Sequence, residues 1–412
     1  MNIRGYYHGL ANEQRLVEPV LSWLRSSKAL CASPQALSKA RKKITPEAYQ
    51  ILSRQLVQGF YADDDLLLWH GKWRLLGLDG STLQLPPSRE IIASFGVVAP
   101  STFPLGRLSV LYDVRNRFVL DVILTEYQDD ERAQAMDHLH FFDADTDGHR
   151  WNDLVLADRN YPCFYLLLAL GMRKKDFVFR YSAKGASCIE EVASALAGEK
   201  NDTVLEIDLT KPGRSINERL GPLLAERKEQ GESTILTLRM VVIPNDDGTT
   251  MVLLTSVLDP TITYEDFHAL YHERWGLETQ FDVAKNVLQL EDFSATSFQG
   301  VMQDLYAAML LANFLALALY DVREELKEYN HAKERKYLYA INTTQAMSSL
   351  RLRLIALVIC EDTKELENIM HDVRKALLKH KVPIRKNRTS TPSKRKRKHP
   401  HLKHPSNAKT IV

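Results

Sequence analysis

Apolar positions along the chain follow two rhythms. LVEPVLSWLRSSKAL carries them at helical spacing up to a break at Ser33-Pro34. Ser33 reads as an N-cap, with Pro34 at the first helical position of PQALSKARKKI. Thr45-Pro46 starts another helix, through Leu56 and Phe60. Beyond Lys72 short apolar runs take over, bounded by turn residues. Residues 73–78 predict a buried strand that Asp79-Gly80 breaks. RLSVLYDVRNRFVLDVILTEY predicts two strands joined at Arg115-Asn116, with Asp113 and Asp121 as strand-edge or turn carboxylates. DDERAQAMDHLHFF predicts one helix capped near Asp129, with its acids at the positive helix end. Residues 154–157 predict a short strand ended by Asp158, followed by a helix from about Tyr161-Pro162 and a strand at DFVFRY. TVLEIDL, TILTLRMVVI and TMVLLTSVL are β-rich, with Asn245-Asp246-Asp247-Gly248 as a hairpin turn. Residues 264–288 predict a single helix. Residues 298–329 predict a long core helix rather than a membrane span, since Gln303, Asp304 and Asn313 interrupt it. Helical patterns continue through Leu378.

Composition narrows the class. The chain has 412 residues, enough for two or three domains, with ordinary hydrophobic (45%) and charged (26%) fractions. No apolar run has the length and purity of a membrane span, and the N-terminus lacks the apolar core of a secretory signal. Four scattered cysteines form no CxxC pair, which points to a reduced, intracellular protein. The net charge of +2 is unevenly distributed: from Lys379 onward there are 12 Lys or Arg and no acid, so the preceding body is acidic. A basic arm of this kind meets polyanions or serves as a solubilising end. Lys39, Arg41, Lys42 and Lys43 make a second basic cluster, in the N-terminal helical region, as a DNA-binding module or as a solvated helix face.

Candidate chemistry lies in YHERWGLETQFDVAKNVLQLEDFSA. Leu277, Phe281, Ala284 and Leu288 form one apolar stripe. Tyr271, Arg274, Glu278 and Lys285 step by three, four and seven, within a sector of roughly 60° on a helix. A Glu binds divalent metal, an Arg grips a phosphate with two hydrogen bonds, and a Lys acts as a point charge. The set suits a phosphodiester held against a metal ion. Spacing alone more often means a solvated face with Arg274–Glu278 pairing. Asp79, taken alone, is more often a plain turn, and Asp158 equally a helix-entry residue.

Tyr-x2-Arg-x3-Glu-x6-Lys resembles the YREK signature of a large group of bacterial DDE transposases, insertion-sequence family four. All four letters match at the family spacing, and Trp275 and Leu290-Glu291 are also similar to that family. The resemblance covers about residues 30–320. It makes LDGSTLQLP and ADRNY the first and second catalytic segments. It thereby implies Asp79, Asp158 and Glu278 as catalytic metal ligands for Mg2+ or Mn2+. No Cys/His zinc pattern competes, since His138 and His140, or His399 and His401, lack convincing partners for a metal. DNA contacts fall to Tyr271, Arg274, Lys285, Arg159, Lys39, Arg41, Lys42 and Lys43.

The implied fold is α/β, a ribonuclease H-like catalytic core interrupted by a β-rich insertion, with an N-terminal helical domain and C-terminal helices. The expected boundaries are 1–70 for the helical DNA-binding domain, 71–186 for the first part of the core and 187–260 for the insertion. The catalytic Glu helix then takes 261–325, C-terminal helices 326–382 and a disordered basic tail 383–412. The implied reaction is cleavage at element ends followed by strand transfer into target DNA. The implied partners are terminal inverted repeats and target DNA, bound by a homodimer assembled on DNA, in a prokaryotic cytoplasm at the nucleoid, without a membrane. Some relatives hold a flipped base on a Trp of the insertion, but this chain has no Trp between Trp151 and Trp275. A catalytically idle, DNA-binding or regulatory relative is the alternative; a different ribonuclease H-like nuclease is disfavoured by the full signature.

Overall fold

The computed structural model describes residues 33–62, 66–99, 101–144, 151–182, 189–211, 218–244, 249–274, 290–332, 337–360 and 362–384. The described residues begin with helices α1 (Pro34–Arg41) and α2 (Glu47–Ala62). Strand β1 (Trp73–Gln84), helix α3 (Arg89–Phe95) and strands β2 (Leu105–Asp113) and β3 (Val119–Glu126) follow. Then come α4 (Glu131–Asp137), α5 (His140–Ala144), β4 (Asn152–Ala157), α6 (Phe164–Met172) and β5 (Asp176–Tyr181). Next are α7 (Glu190–Ala197), β6 (Asp202–Asp208), α8 (Leu220–Glu229), β7 (Ile235–Pro244), β8 (Thr250–Thr255) and α9 (Tyr264–Glu273). The last elements are α10 (Phe298–Asp321), α11 (Arg323–His331), β9 (Tyr339–Ile341), α12 (Thr343–Ile359), α13 (Thr363–Lys379) and β10 (Lys381–Pro383). They fall into two compact units, Met1–Asp64 with Leu83–Gly106 and Phe281–Val412, and Asp65–Thr82 with Arg107–Gln280.

The second unit is built on an eight-stranded mixed sheet of order β3-β2-β1-β4-β5-β8-β7-β6. β4 pairs parallel with β1 and with β5, and β8 pairs antiparallel with β5 and β7. The central strands read as continuous apolar runs because both faces are covered: Leu75, Leu76, Leu154, Leu156, Phe177 and Phe179 are all fully buried. Burying one such side chain is worth about 1.5–3 kcal/mol. One polar cluster sits inside this core. Arg74 on β1 faces its register partner Asp153 on β4 at 2.7 Å, and Lys175 reaches the other oxygen of Asp153 at 2.9 Å. The Asp153 carboxyl is buried, which alone would raise its pKa. The charges and hydrogen bonds of Arg74 and Lys175 outweigh that and hold it below the usual carboxylate range.

Several sequence expectations change here. The Asp79-Gly80 pair does not end β1, which runs on to Gln84. Gly80 is absent from the positive-φ positions, so it continues the strand instead of turning it. The three β-rich runs expected as an insertion supply β6, β7 and β8, which extend the main sheet beyond β5. The helix expected after Asp129 is two, α4 capped by Asp130 and the short α5. Asp113 and Asp121 are both buried, and Asp113 is the turn carboxylate expected. Asp113 accepts from the backbone of Asn116 at 2.9 Å and of Arg115 at 3.2 Å, closing the β2–β3 turn at Arg117 (φ 66). Asp121 accepts from His138, whose other ring nitrogen meets Ser109 at 3.0 Å. These two histidine contacts tie β2 and β3 to the end of α4.

The first unit is helical, with one small β9–β10 pair. The Ser33 side chain accepts from Ala36 N at 3.2 Å, as its N-cap role predicts. α10 is long and apolar enough to cross a membrane by length and composition, but 78% of that window is buried. It packs on α2 through Tyr49, Ala307 and Leu310, and Asn313 donates to Ser53 at 2.7 Å. The run expected as one helix over 298–329 divides at Val322 into α10 and α11.

Candidate active site

The parallel register of β1 and β4 creates the site. Leu78 lies opposite Ala157, the last residue of β4, on strands about 4.8 Å apart, so the next residues, Asp79 within β1 and Asp158 just past β4, follow as neighbours in that register. Both are partly exposed, as acids must be to meet a ligand. The Arg74–Asp153 pair lies five residues upstream of the aspartates on both strands, so it locks the register that aligns them. Asp158 Oδ1 accepts from Asn160 N at 2.8 Å, an Asx turn that fixes the carboxylate. It does not cap α6, whose N-cap is Cys163 without a side-chain bond.

Asp79 Oδ1 accepts from Gly80 N at 2.8 Å, and Arg274 Nη1 reaches Asp79 Oδ2 at 3.3 Å. Arg274 follows α9, which a Thr263–Asp266 capping box begins. Only 7% of Arg274 is exposed, and its guanidinium stands 5.5 Å from the ring centre of Tyr271. The Tyr271 phenol is pushed up by burial, with Arg274 and Arg180 pulling it down and Asp158 raising it further. Four sequence candidates therefore converge: Asp79, Asp158, Arg274 and Tyr271. Arg159 is exposed beside Asp158. Glu278, Lys285 and Trp275 lie outside the described residues, as does the helix predicted beyond Arg274.

Three residues absent from the sequence candidates also stand at this site. Glu131 begins α4 and forms an ion pair with Arg107; its carboxylate lies 3.6 Å from where a Cβ on Gly80 would stand. Tyr161, 1% exposed, has a hydroxyl without a hydrogen-bond partner among the described residues. Burial pushes its pKa well up, and Asp79, Glu131 and Asp158 raise it further against Arg107. A tyrosine three residues after a candidate aspartate was the only available signal, and it read as a helix start.

In the first unit Lys39, Lys42 and Lys43 are exposed, but Arg41 is not available to a phosphate. It is 7% exposed and clamps α10 through Asp304 at 3.0 Å, Gln303 at 2.7 Å and the Gly300 carbonyl at 2.9 Å. A buried guanidinium needs such partners, and their satisfaction removes it from the basic surface.

Two neighbouring carboxylates, one within β1 and one just past the end of β4, offer the hard oxygen donors that a divalent cation such as Mg2+ takes. Among the described residues no three His, Cys, Asp or Glu side chains stand together to hold a metal ion, so the pair needs a further donor. The transposase DDE domain family matches residues 75–314, more than half of the chain. No curated protein matches. Among solved structures, the cryo-EM structure of the piggyBac transposase synaptic complex with hairpin DNA is similar at 10% identity and a TM-score of 0.38. The match covers 73% of this chain and 57% of that one. By the family match, which spans both aspartates and Arg274, this chain belongs to the transposase DDE domain family.

Proposed function

We propose that this chain is the transposase of an insertion sequence, cutting DNA at the element ends and joining them to target DNA. The observation that carries the reading is the neighbouring pair Asp79 and Asp158, with Arg274 at 3.3 Å from Asp79, inside the family match. The YREK letters support insertion-sequence family four. A sheet in which β4 and β5 add parallel to β1, beyond β2 and β3, supports a ribonuclease H-like core.

Asp79 and Asp158, with Glu278 as third donor, would hold Mg2+ or Mn2+. A divalent cation there supplies Lewis-acid charge to the scissile phosphate and to the attacking oxygen. Arg274 and Lys285 grip phosphate oxygens beside the cut, Tyr271 shapes the floor under Arg274, and Arg159 reaches the backbone from the exposed side. A water oxygen bonds to phosphorus as the P–O3′ bond breaks, and the leaving oxygen takes a proton as a 3′-hydroxyl. That hydroxyl then attacks a target phosphodiester. One bond forms as one breaks, so no energy cofactor is needed. The partners are terminal inverted repeats and target DNA, and the working species is a homodimer assembled on DNA. Lys39, Lys42 and Lys43 contribute non-specific phosphate contacts.

Asp79→Asn, Asp158→Asn and Glu278→Gln, each assayed with a labelled duplex carrying the element's inverted repeat, are expected to abolish cleavage and leave end binding within about threefold. Near-normal cleavage by any one variant removes that residue from the site; near-normal cleavage by all three ends the reading.

A further inference from the structure

Tyr161 is held more firmly than its loop position suggests. Its backbone N–H donates to the Asp158 carbonyl at 3.3 Å, Asn160 completes the Asx turn, and Pro162 fixes the chain that follows. The phenol is 1% exposed, yet among the described residues its hydroxyl meets no acceptor. The carboxylates whose charges bear on it are Asp79, Glu131 and Asp158. Each already has a donor: Gly80 and Arg274 for Asp79, Arg107 for Glu131, Asn160 for Asp158. Buried hydroxyls without partners are rare and costly, and those that persist call for an explanation. This one sits on the turn that follows Asp158, and burial, with the charges of Asp79, Glu131 and Asp158, keeps it protonated and thus a donor.

We propose that the Tyr161 hydroxyl is a positioning donor, giving its hydrogen bond to a ligand oxygen that enters beside Asp79 and Asp158. That oxygen is either a water bound to the divalent cation or a non-bridging oxygen of the scissile phosphate. The inference rests on the transposase reading and extends it to a residue outside the signature.

The test is Tyr161→Phe in the full chain, with wild type and Asp79→Asn as references. It reads thermal melting, Mn2+ affinity by electron paramagnetic resonance without DNA, and single-turnover cleavage of the inverted-repeat duplex. Removing a hydroxyl that bonds nothing in the protein leaves melting unchanged or raises it. Cleavage at saturating duplex falls on the order of 10²-fold, with duplex affinity kept. Weakened Mn2+ binding identifies the metal-bound water; unchanged Mn2+ binding with slow cleavage identifies the phosphate oxygen. Wild-type cleavage together with wild-type Mn2+ affinity overturns the inference and leaves the transposase reading standing, provided that Asp79→Asn is dead. A Tyr161→Phe protein that fails to fold also overturns it, because the hydroxyl is then bonded within the protein. If the wild-type chain neither binds Mn2+ nor cleaves, the transposase reading falls and this inference with it.

Discussion

At the residue scale the decisive group is Arg274. It does not lie on a solvated helix face: it is buried, set against Tyr271 and directed to Asp79. One guanidinium can hold a carboxylate and a phosphate at once, since it has five N–H donors in a fixed fork. Arg274→Ala is expected to lower single-turnover cleavage on the order of 10²-fold and to loosen the cut-end complex. Arg274→Lys is expected to recover only part of this, keeping the charge without the fork. Full activity in a folded Arg274→Ala protein, whatever its melting temperature, would leave the arginine a structural role alone. The contrast with Arg41 shows what a local sequence can reveal. Both sit among basic or polar neighbours, but the partner of Arg41 is Asp304, 263 residues away. No local pattern marks such a pair, so an exposed lysine and a buried arginine read alike.

At the element scale the parallel β1–β4 pair depends on its polar lock. Asp153 is almost fully buried, and its ionised form is held by Arg74 and Lys175. Asp153→Asn leaves the Arg74 charge buried without its counter-ion, at a cost of about 3–5 kcal/mol, read by urea unfolding. An Arg74→Met, Asp153→Leu double variant is expected to regain most of that. The pH dependence follows from the depressed carboxyl. Its contribution is complete above the unfolded Asp value of about 3.9 and is lost as pH falls through the lower folded value. Acid unfolding in the wild type that matches Asp153→Asn would contradict this. The strands themselves were legible: DFVFRY is β5 residue for residue, and the three later β-rich runs each contain a strand. Their joining of the main sheet was not, because β8 finds β5 across some 75 residues by pairing, which local pattern does not encode. Asp79-Gly80 misread for the opposite reason. The pair usually turns a chain, and only the neighbouring strands keep it extended here.

At the scale of the whole molecule, charge is segregated along the chain, with an acidic body and a basic C-terminal arm. Deleting residues 383–412 is expected to weaken DNA binding evenly across sequences. The slope of log affinity against log salt is expected to flatten by about 0.9 for each phosphate that the arm neutralises in the intact chain. An unchanged slope would make the arm a solubilising end. The parallel pairing of β1 with β4 bears on how the enzyme comes into being. Parallel neighbours need a crossover, and here 79 residues separate the two aspartates. Pairings so distant in sequence form late, after loop closure has been overcome. A chain that has left the ribosome only as far as β3 carries Asp79 on a strand whose second neighbour is still unmade. On the proposed reading, docking of β4 is necessary but not sufficient for cutting, since Arg274 and Glu278 are made more than a hundred residues later, and the growing chain is harmless to the DNA beside it until they too are in place.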